Sequence, residues 1–211
     1  MKKKAKEPGN LREDCVAEAR AIVEEDGLEK LSLREVARRL GVSHGAPYRH
    51  FPSRDHLLAE VVARAFGEFA AHLDARHKTG TPQEDLAEMG RAYLSYALAH
   101  PLNYRLMFGT PLPDPEAHPG MMREARHAFA LLRGGLCAVH AARRRDASDE
   151  ALDLDALFVW SIMHGLSSVL GGSTIDQIGL PARTLTKLPE HSLMRIGRAL
   201  GVDPQERDGT S

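Results

Sequence analysis

The segment from Leu31 to Leu58 constrains the chain more than any other. It packs three helix starts and a glycine stop into less than thirty residues. Ser32 and Glu35 stand at capping-box spacing, so each side chain can satisfy an orphan amide at a helix start, and Leu31 and Val36 flank them as a hydrophobic staple. The short helix that follows buries Leu33, Val36, Ala37 and Leu40, and Gly41 ends it. After a turn of only Gly41 and Val42, Ser43 caps a second short helix running to about His50. Pro52-Ser53 breaks that helix, and a long one begins near Arg54, with Leu57, Leu58, Val61, Val62, Ala65, Phe66, Phe69 and Leu73 along one side. Upstream, Leu11, Cys15, Ala19, Ile22 and Val23 form a further helical stripe closed by Gly27.

The rest of the chain continues the helical period. Strand signals are missing: no alternating Val/Ile/Thr runs and no Asn-Gly or Asp-Gly turns. Thr79-Gly80-Thr81-Pro82 marks a break, and further helices read from about Pro82 to His100, Pro101 to Phe108, His118 to Arg145, Ser148 to Leu170 and Pro189 to Leu200. Pro111, Pro113, Pro115 and Pro119 crowd one loop, Gly171 to Thr184 forms another, and the tail after Val202 reads as disordered. The expected fold is all-α: an N-terminal three-helix helix-turn-helix domain over residues 9–69 and a C-terminal helical bundle over residues 70–202. Residues 1–8 are read as a basic leader and residues 203–211 as the tail.

Composition excludes several classes. Formal net charge is −1, yet Lys2, Lys3, Lys4 and Lys6 make the leader basic, and Arg34, Arg38, Arg39, Arg49 and Arg54 face only Glu35 and Asp55 within their stretch. A small basic head on a more acidic body fits a polyanion at one end; an ordinary solvated face is the bland alternative. The two cysteines, Cys15 and Cys137, are too far apart for a metal cluster and suggest a reduced, cytoplasmic protein. Eleven histidines show no compact ligand spacing, so no metal and no cofactor is expected. The leader runs into Glu7-Pro8-Gly9 rather than an apolar run, and the longest uncharged stretch, Ala156 to Leu170, is too short to span a bilayer; no membrane role is expected. No phosphate loop, nucleophile elbow or zinc motif appears, and the chain is not read as an enzyme.

Two short amphipathic helices about a glycine turn suit DNA, because a helix is about as wide as the major groove and polar residues near its start can reach base edges. The run Leu31-Ser32-Leu33-Arg34-Glu35-Val36-Ala37-Arg38-Arg39-Leu40-Gly41-Val42-Ser43-His44-Gly45-Ala46-Pro47-Tyr48-Arg49-His50-Phe51 closely resembles the DNA-binding region of TetR-family regulators, and the resemblance extends from about Leu11 to Phe66. It implies a homodimer on double-stranded operator DNA, usually a repressor, released when a small molecule binds the C-terminal domain. The effector is unidentified. Carried over residue by residue, the resemblance puts Ser43, His44, Gly45 and Ala46 at the bases, flanked by Arg49 and His50. It puts Tyr48 and Arg54 on phosphate, Ser32 and Arg34 on phosphate from the bracing helix, and Phe51 in the core. Arg38 and Arg39 are left open between DNA and solvent. Pro47 departs from the family's usual aliphatic residue, and the loss expected there is one intrahelical bond.

In the body, Trp160-Ser161-Ile162-Met163-His164-Gly165 resembles the signature of the WHG-type C-terminal domain, and Pro101 to Phe108 fits the same subgroup. Trp160 and His164 lie one turn apart, either as ligand-pocket residues or as a packed tryptophan and a core histidine. Tyr93, Tyr96, Tyr104, Met107, Phe108 and Phe129 complete the pocket candidates. Ser161, Gly165 and Ser168 form a ridge of small residues that admits a close helix, and with Leu193, Ile196 and Leu200 in phase on the last helix they are read as a two-fold four-helix dimer interface. Arg143, Arg144 and Arg145 suit either solvent at a helix end or an anionic effector. Two other readings remain open: a DNA-binding regulator with no small-molecule effector, and a ligand-binding protein that no longer binds DNA.

Overall fold

The apolar stripe that begins at Leu11 does wind into a helix. The computed structural model describes residues 10–109 and 111–201, and its first helix, α1 (Leu11–Glu25), buries Cys15, Val16, Ala19, Ile22 and Val23. Gly27, at φ 93°, turns the chain into a short 3-10 turn, Leu28–Lys30, that the periodicity did not reveal. α2 (Leu33–Leu40) starts where its capping residues stand. The Ser32 hydroxyl accepts the Glu35 amide at 3.1 Å, while the Glu35 carboxylate turns to Arg38 and Arg39. The helix ends at Gly41 in the left-handed region, φ 69°, with the Val42 amide donating back to the Ala37 carbonyl at 3.1 Å. That is a Schellman closure, and glycine takes its backbone angle without steric cost.

The next element differs from the expectation. Residues 43–50 form no α-helix; they make a turn and then a 3-10 turn, Pro47–Arg49. The bonds are mostly of i→i−3 type: the Ala46 amide donates to the Ser43 carbonyl at 2.9 Å, Arg49 to Ala46 at 3.3 Å and His50 to Pro47 at 3.0 Å, and a single i→i−4 bond, from the Phe51 amide to Pro47 at 2.9 Å, closes the segment. Pro47 explains the correction. It has no amide to give, and its ring crowds the carbonyl four residues back, so it disfavours the whole α-turn rather than removing one bond. Ser43 therefore contributes a carbonyl where a side-chain cap was expected.

α3 (Arg54–Asp74) follows, and every member of its expected stripe is buried, from Leu57 through Leu73. Next come α4 (Pro82–Ala99), α5 (Pro101–Phe108) and α6 (Pro119–Ala142). α6 stops short of the expected Arg145 because Arg144 takes a positive φ of 53° and the Arg145 amide closes back on the His140 carbonyl at 3.1 Å. α7 (Asp149–Gly171) is capped by Ser148, whose hydroxyl accepts the Ala151 amide at 3.2 Å.

Residues 171–184, expected as loop, contain α8 (Thr174–Gln177) and the start of α9 (Ala182–Ala199). Pro189, read from sequence as a helix start, lies inside α9. Its missing amide costs one bond, which the helical phase of the buried Ile196 and the half-buried Leu185, Leu188 and Leu193 offsets. The leader and the tail lie outside the described residues, and among those described no strand occurs.

The chain divides into two compact units, residues 1–66 with 105–124, and residues 67–104 with 125–211. In the first, α1, α2 and the opening turns of α3 enclose a core that also takes in the fully buried Leu106 and Met107, with Phe108 edge-on to Phe66 at 5.6 Å. In the second, α4, α7 and α9 pack together with the later turns of α6. Gly90 lets α9 approach, since a Cβ there would fall 2.4 Å from a Leu193 methyl.

The cap is the feature of α2 most open to test. Ser32→Ala is expected to lower the unfolding free energy of the N-terminal unit by about 1 kcal/mol, and Ser32→Asp to leave it nearly unchanged. Urea unfolding followed by hydrogen exchange of the α1 and α2 amides reads both; equal losses would separate the hydroxyl from the stability of α2.

Candidate nucleic-acid interface

Between α2 and α3 the chain exposes a short run on a firmly packed base. Pro47 is buried and Phe51 is only 3% exposed, so both ends of the 3-10 turn are anchored in the core. The Arg12 guanidinium sits 5.6 Å above the Phe51 ring, held there by Glu60 at 2.6 Å. Outward from this base Ser43, His44, Gly45, Tyr48, Arg49 and His50 are exposed and Ala46 is half-buried. Tyr48 leaves 47% of its surface open, unusual for a large aromatic residue in a folded chain. The structure thus brings together all seven sequence-designated residues from Ser43 to His50, with Arg34 exposed on α2. Ser32 is half-buried and its oxygen serves the Glu35 amide.

The arginines divide sharply. Arg39, which sequence left open, is 18% exposed and holds Glu18, Glu25, Asp26 and Glu35, tying α1 to α2. Arg38 is 67% exposed and pairs with Glu35 at 2.5 Å. Arg54 points partly inward: its Nε donates to the Leu31 carbonyl at 3.0 Å and one terminal nitrogen to Leu28 at 2.9 Å. It locks the 3-10 turn onto α3, leaving its other edge, shared with Asp55 at 3.5 Å, toward solvent. Among the described residues no ion pair engages Arg34 or Arg49. Within the run from Arg34 to Arg54 these two are therefore the arginines left open, with His44 and His50 also exposed.

In the C-terminal unit five of the eight pocket candidates meet. The Tyr93 and Tyr104 hydroxyls are 3.0 Å apart, and the Tyr104 hydroxyl lies 2.7 Å from His164 Nδ1. Tyr104 stacks on His164 at 5.5 Å, and Phe129 meets Trp160 edge-on at 6.4 Å. Burial, reinforced by the neighbouring Tyr104, pushes the Tyr93 hydroxyl well above its ordinary value, so it stays protonated. Tyr104 is raised by the same cause. Ser167, one turn beyond His164, joins this group through Tyr104 and was missed in sequence, where only its i+3 spacing pointed to it. Tyr96 belongs to a separate knot, accepting from the buried Asn103 amide at 2.7 Å. Met107 and Phe108 fall in the other compact unit.

The dimer candidates also part company. Ser161, Gly165 and Ser168 are exposed on α7. Ile196 is 5% exposed and Leu193 lies against Gly90, so the apolar phase of α9 is used within its own unit. The exposed apolar residue on α9 is Met194.

A short exposed turn, braced by a capped helix and seated on a buried core, stands where a helix-turn-helix domain carries its second helix. Residues 16–61 match the family model of bacterial regulatory proteins of the tetR family. Residues 86–185, which include Trp160, His164 and Gly165, match the tetracyclin repressor-like C-terminal domain. An HTH-type transcriptional regulator of Mycobacterium bovis is 35% identical over 96 residues, 44% of this chain and 41% of that protein. The HTH-type transcriptional repressor KstR of Mycolicibacterium smegmatis is 40% identical over 67 residues, 31% of this chain and 33% of its own length. These matches thus span less than half of the relatives' lengths. A solved structure described as the putative regulatory protein SCO4313 superposes with a TM-score of 0.72 at 27% identity, covering 88% of this chain and 94% of that one. The chain belongs to the TetR family of transcriptional regulators.

The Glu35 carboxyl offers a pH test of the brace. Hydrogen bonds from Arg38, then Arg39, hold its pKa near 2, down from 4.5. A depressed carboxyl stabilises the fold above its unfolded pKa, and that contribution is lost as pH falls from about 4.5 towards 2. The N-terminal unit should therefore lose stability through that window, less steeply in high salt, and Glu35→Gln should flatten that part of the profile. Thermal unfolding of both proteins across the window, followed at the N-terminal unit, checks it; parallel profiles would remove Glu35 from the account.

Proposed function

We propose that the protein is a homodimeric repressor that binds two-fold operator DNA through residues 43–50 and leaves it when a small molecule binds the C-terminal unit. The observation that carries the DNA part is the exposed run Ser43 to His50 on buried anchors at Pro47 and Phe51. Tyr48 and Arg49 reach phosphate and groove edge, Arg34 braces from α2, and His44, Gly45 and Ala46 face the bases. The repressor role is supported by the name of the KstR relative, and the effector role by the meeting of Tyr93, Tyr104, Phe129, Trp160 and His164 in the second unit.

α7 supports the dimer. By length and composition it could cross a membrane, yet only 28% of its apolar window is buried within the chain. Its first turns carry Asp149, Asp153 and Asp155, paired to Arg133 and His140 of α6, which suits a helix packed in a water-soluble bundle. Leu154, Leu157, Phe158 and Val169 stand exposed beside Ser161, Gly165 and Ser168. A second copy covers such a face and lets the helices approach at the small ridge. The reading places the protein in the cytoplasm, with DNA.

Footprinting on its own promoter is the test of the whole: a protected, roughly palindromic site with half-sites about one helical turn or a multiple apart is expected, and a monomer on a single asymmetric site would overturn it. Gly165→Leu probes the dimer alone. Nothing lies within 4 Å of a Cβ at Gly165, so the fold has space for the new side chain and a partner helix does not. Overpacking of about 1–3 kcal/mol entered twice by symmetry should weaken dimerisation by at least about tenfold. Sedimentation equilibrium reads the loss, and a mutant as dimeric as wild type would place the interface elsewhere.

A further inference from the structure

We infer that Pro47 is a specificity-determining residue of the reading segment: by barring the α-turn it fixes which side chains line the surface offered to the bases. The inference rests on the operator-binding reading above and deepens it. In an α-helix capped at Ser43, successive residues would turn by about 100° and rise about 1.5 Å, placing His44 above Tyr48. The observed i→i−3 bonds from Ala46, Arg49 and His50 bring the stretch from Ser43 to His50 towards three residues per turn with a rise of about 2.0 Å, where i and i+3 eclipse, before the Phe51 amide returns to an i→i−4 bond on the Pro47 carbonyl at 2.9 Å. Pro47 then faces the core, as its burial shows. The rows beside it become Gly45 with Tyr48, and Ala46 with Arg49. His44 no longer shares a row with Tyr48. Pro47 touches no base in this scheme; it acts through its neighbours and is a positioning residue.

Gly45 supplies an independent observation. Nothing in the protein lies within 4 Å of a Cβ built there, and its φ is not in the left-handed region. The fold therefore has no need of glycine at this exposed place. A bare Cα in the same row as Tyr48 leaves space for a base edge, a thymine methyl or a sugar, which a side chain would fill. The pairing of a shape-setting proline with a glycine the fold does not require is what points outward, to the DNA.

The test is selection from a library of random duplexes by the full-length protein at fixed ionic strength. Wild type, Pro47→Ala, Pro47→Leu and Gly45→Ala are compared, and each variant is first checked for dimerisation and thermal unfolding. Pro47→Leu keeps apolar bulk at the buried position while restoring the amide, so one of the two proline variants reports even if the other fails to fold. Restoring the amide should shift the backbone signals of residues 44–49 towards α-helix and move the selected sequence. Discrimination for the wild-type site should fall by about tenfold or more, the worth of one base-pair preference. Gly45→Ala should lose affinity for the wild-type site by a similar factor without losing stability. A folded proline variant that selects the wild-type site with undiminished discrimination overturns the inference and leaves operator binding standing. Wild type that selects no sequence at all instead overturns the operator reading, and the inference with it.

Discussion

The reading head depends on one backbone reversal, at Gly41. α2 is committed at its start by the Ser32 cap and along its inner face by Leu33, Val36 and Ala37. The left-handed residue at its end then fixes the direction in which the chain leaves. Any other residue at φ 69° would carry a steric cost of about 1–2 kcal/mol, and the two amides that close on Ala37 and Arg38 would lose register. Ten residues later Phe51 and, before it, Pro47 return the chain to the core. The exposed run is thus suspended between a glycine that turns and a proline that stiffens. Its shape is set by what the backbone is permitted to do, and its side chains are free to serve something outside.

Features governed by local rules were legible in the sequence. The Ser32 cap, the stop at Gly41 and the stripe of α3 depend on neighbours within a turn or two, and each stands where spacing placed it. Two errors came from proline. Ser43 has the chemistry of a cap but Pro47 decides the backbone of its segment, and Pro189, a residue that favours helix starts, lies inside α9 because packing by residues on both sides of it holds that helix together. Contacts across long separations were not legible at all. Arg54 resembles a phosphate ligand by motif, but its guanidinium reaches carbonyls 23 and 26 residues back. Periodicity put Ile196 on an apolar face without saying which neighbour that face meets. It meets its own bundle.

The C-terminal unit illustrates the same limit from the polar side. Tyr93, Tyr104 and His164 are far apart in sequence, and singly each reads as core. Their hydroxyls and imidazole nevertheless form a hydrogen-bonded series in a place where burial raises the cost of an unpaired group. Such a series is satisfied only while all its members keep their positions. That makes it sensitive to any molecule that competes for one of its hydrogen bonds, whatever that molecule is.

Charge on the reading head follows from the same accounting. Of the arginines between Arg34 and Arg54, three are engaged: Arg39 by four carboxylates, Arg38 by Glu35, and Arg54 by backbone carbonyls. Fewer free cations mean fewer counterions released from DNA, and the salt dependence of binding scales with that number. Arg34 and Arg49 are the two arginines of this run that no ion pair among the described residues engages. A head built this way gains from holding its few contact residues rigidly, which is what Gly41, Pro47 and the Arg39 ion-pair cluster accomplish.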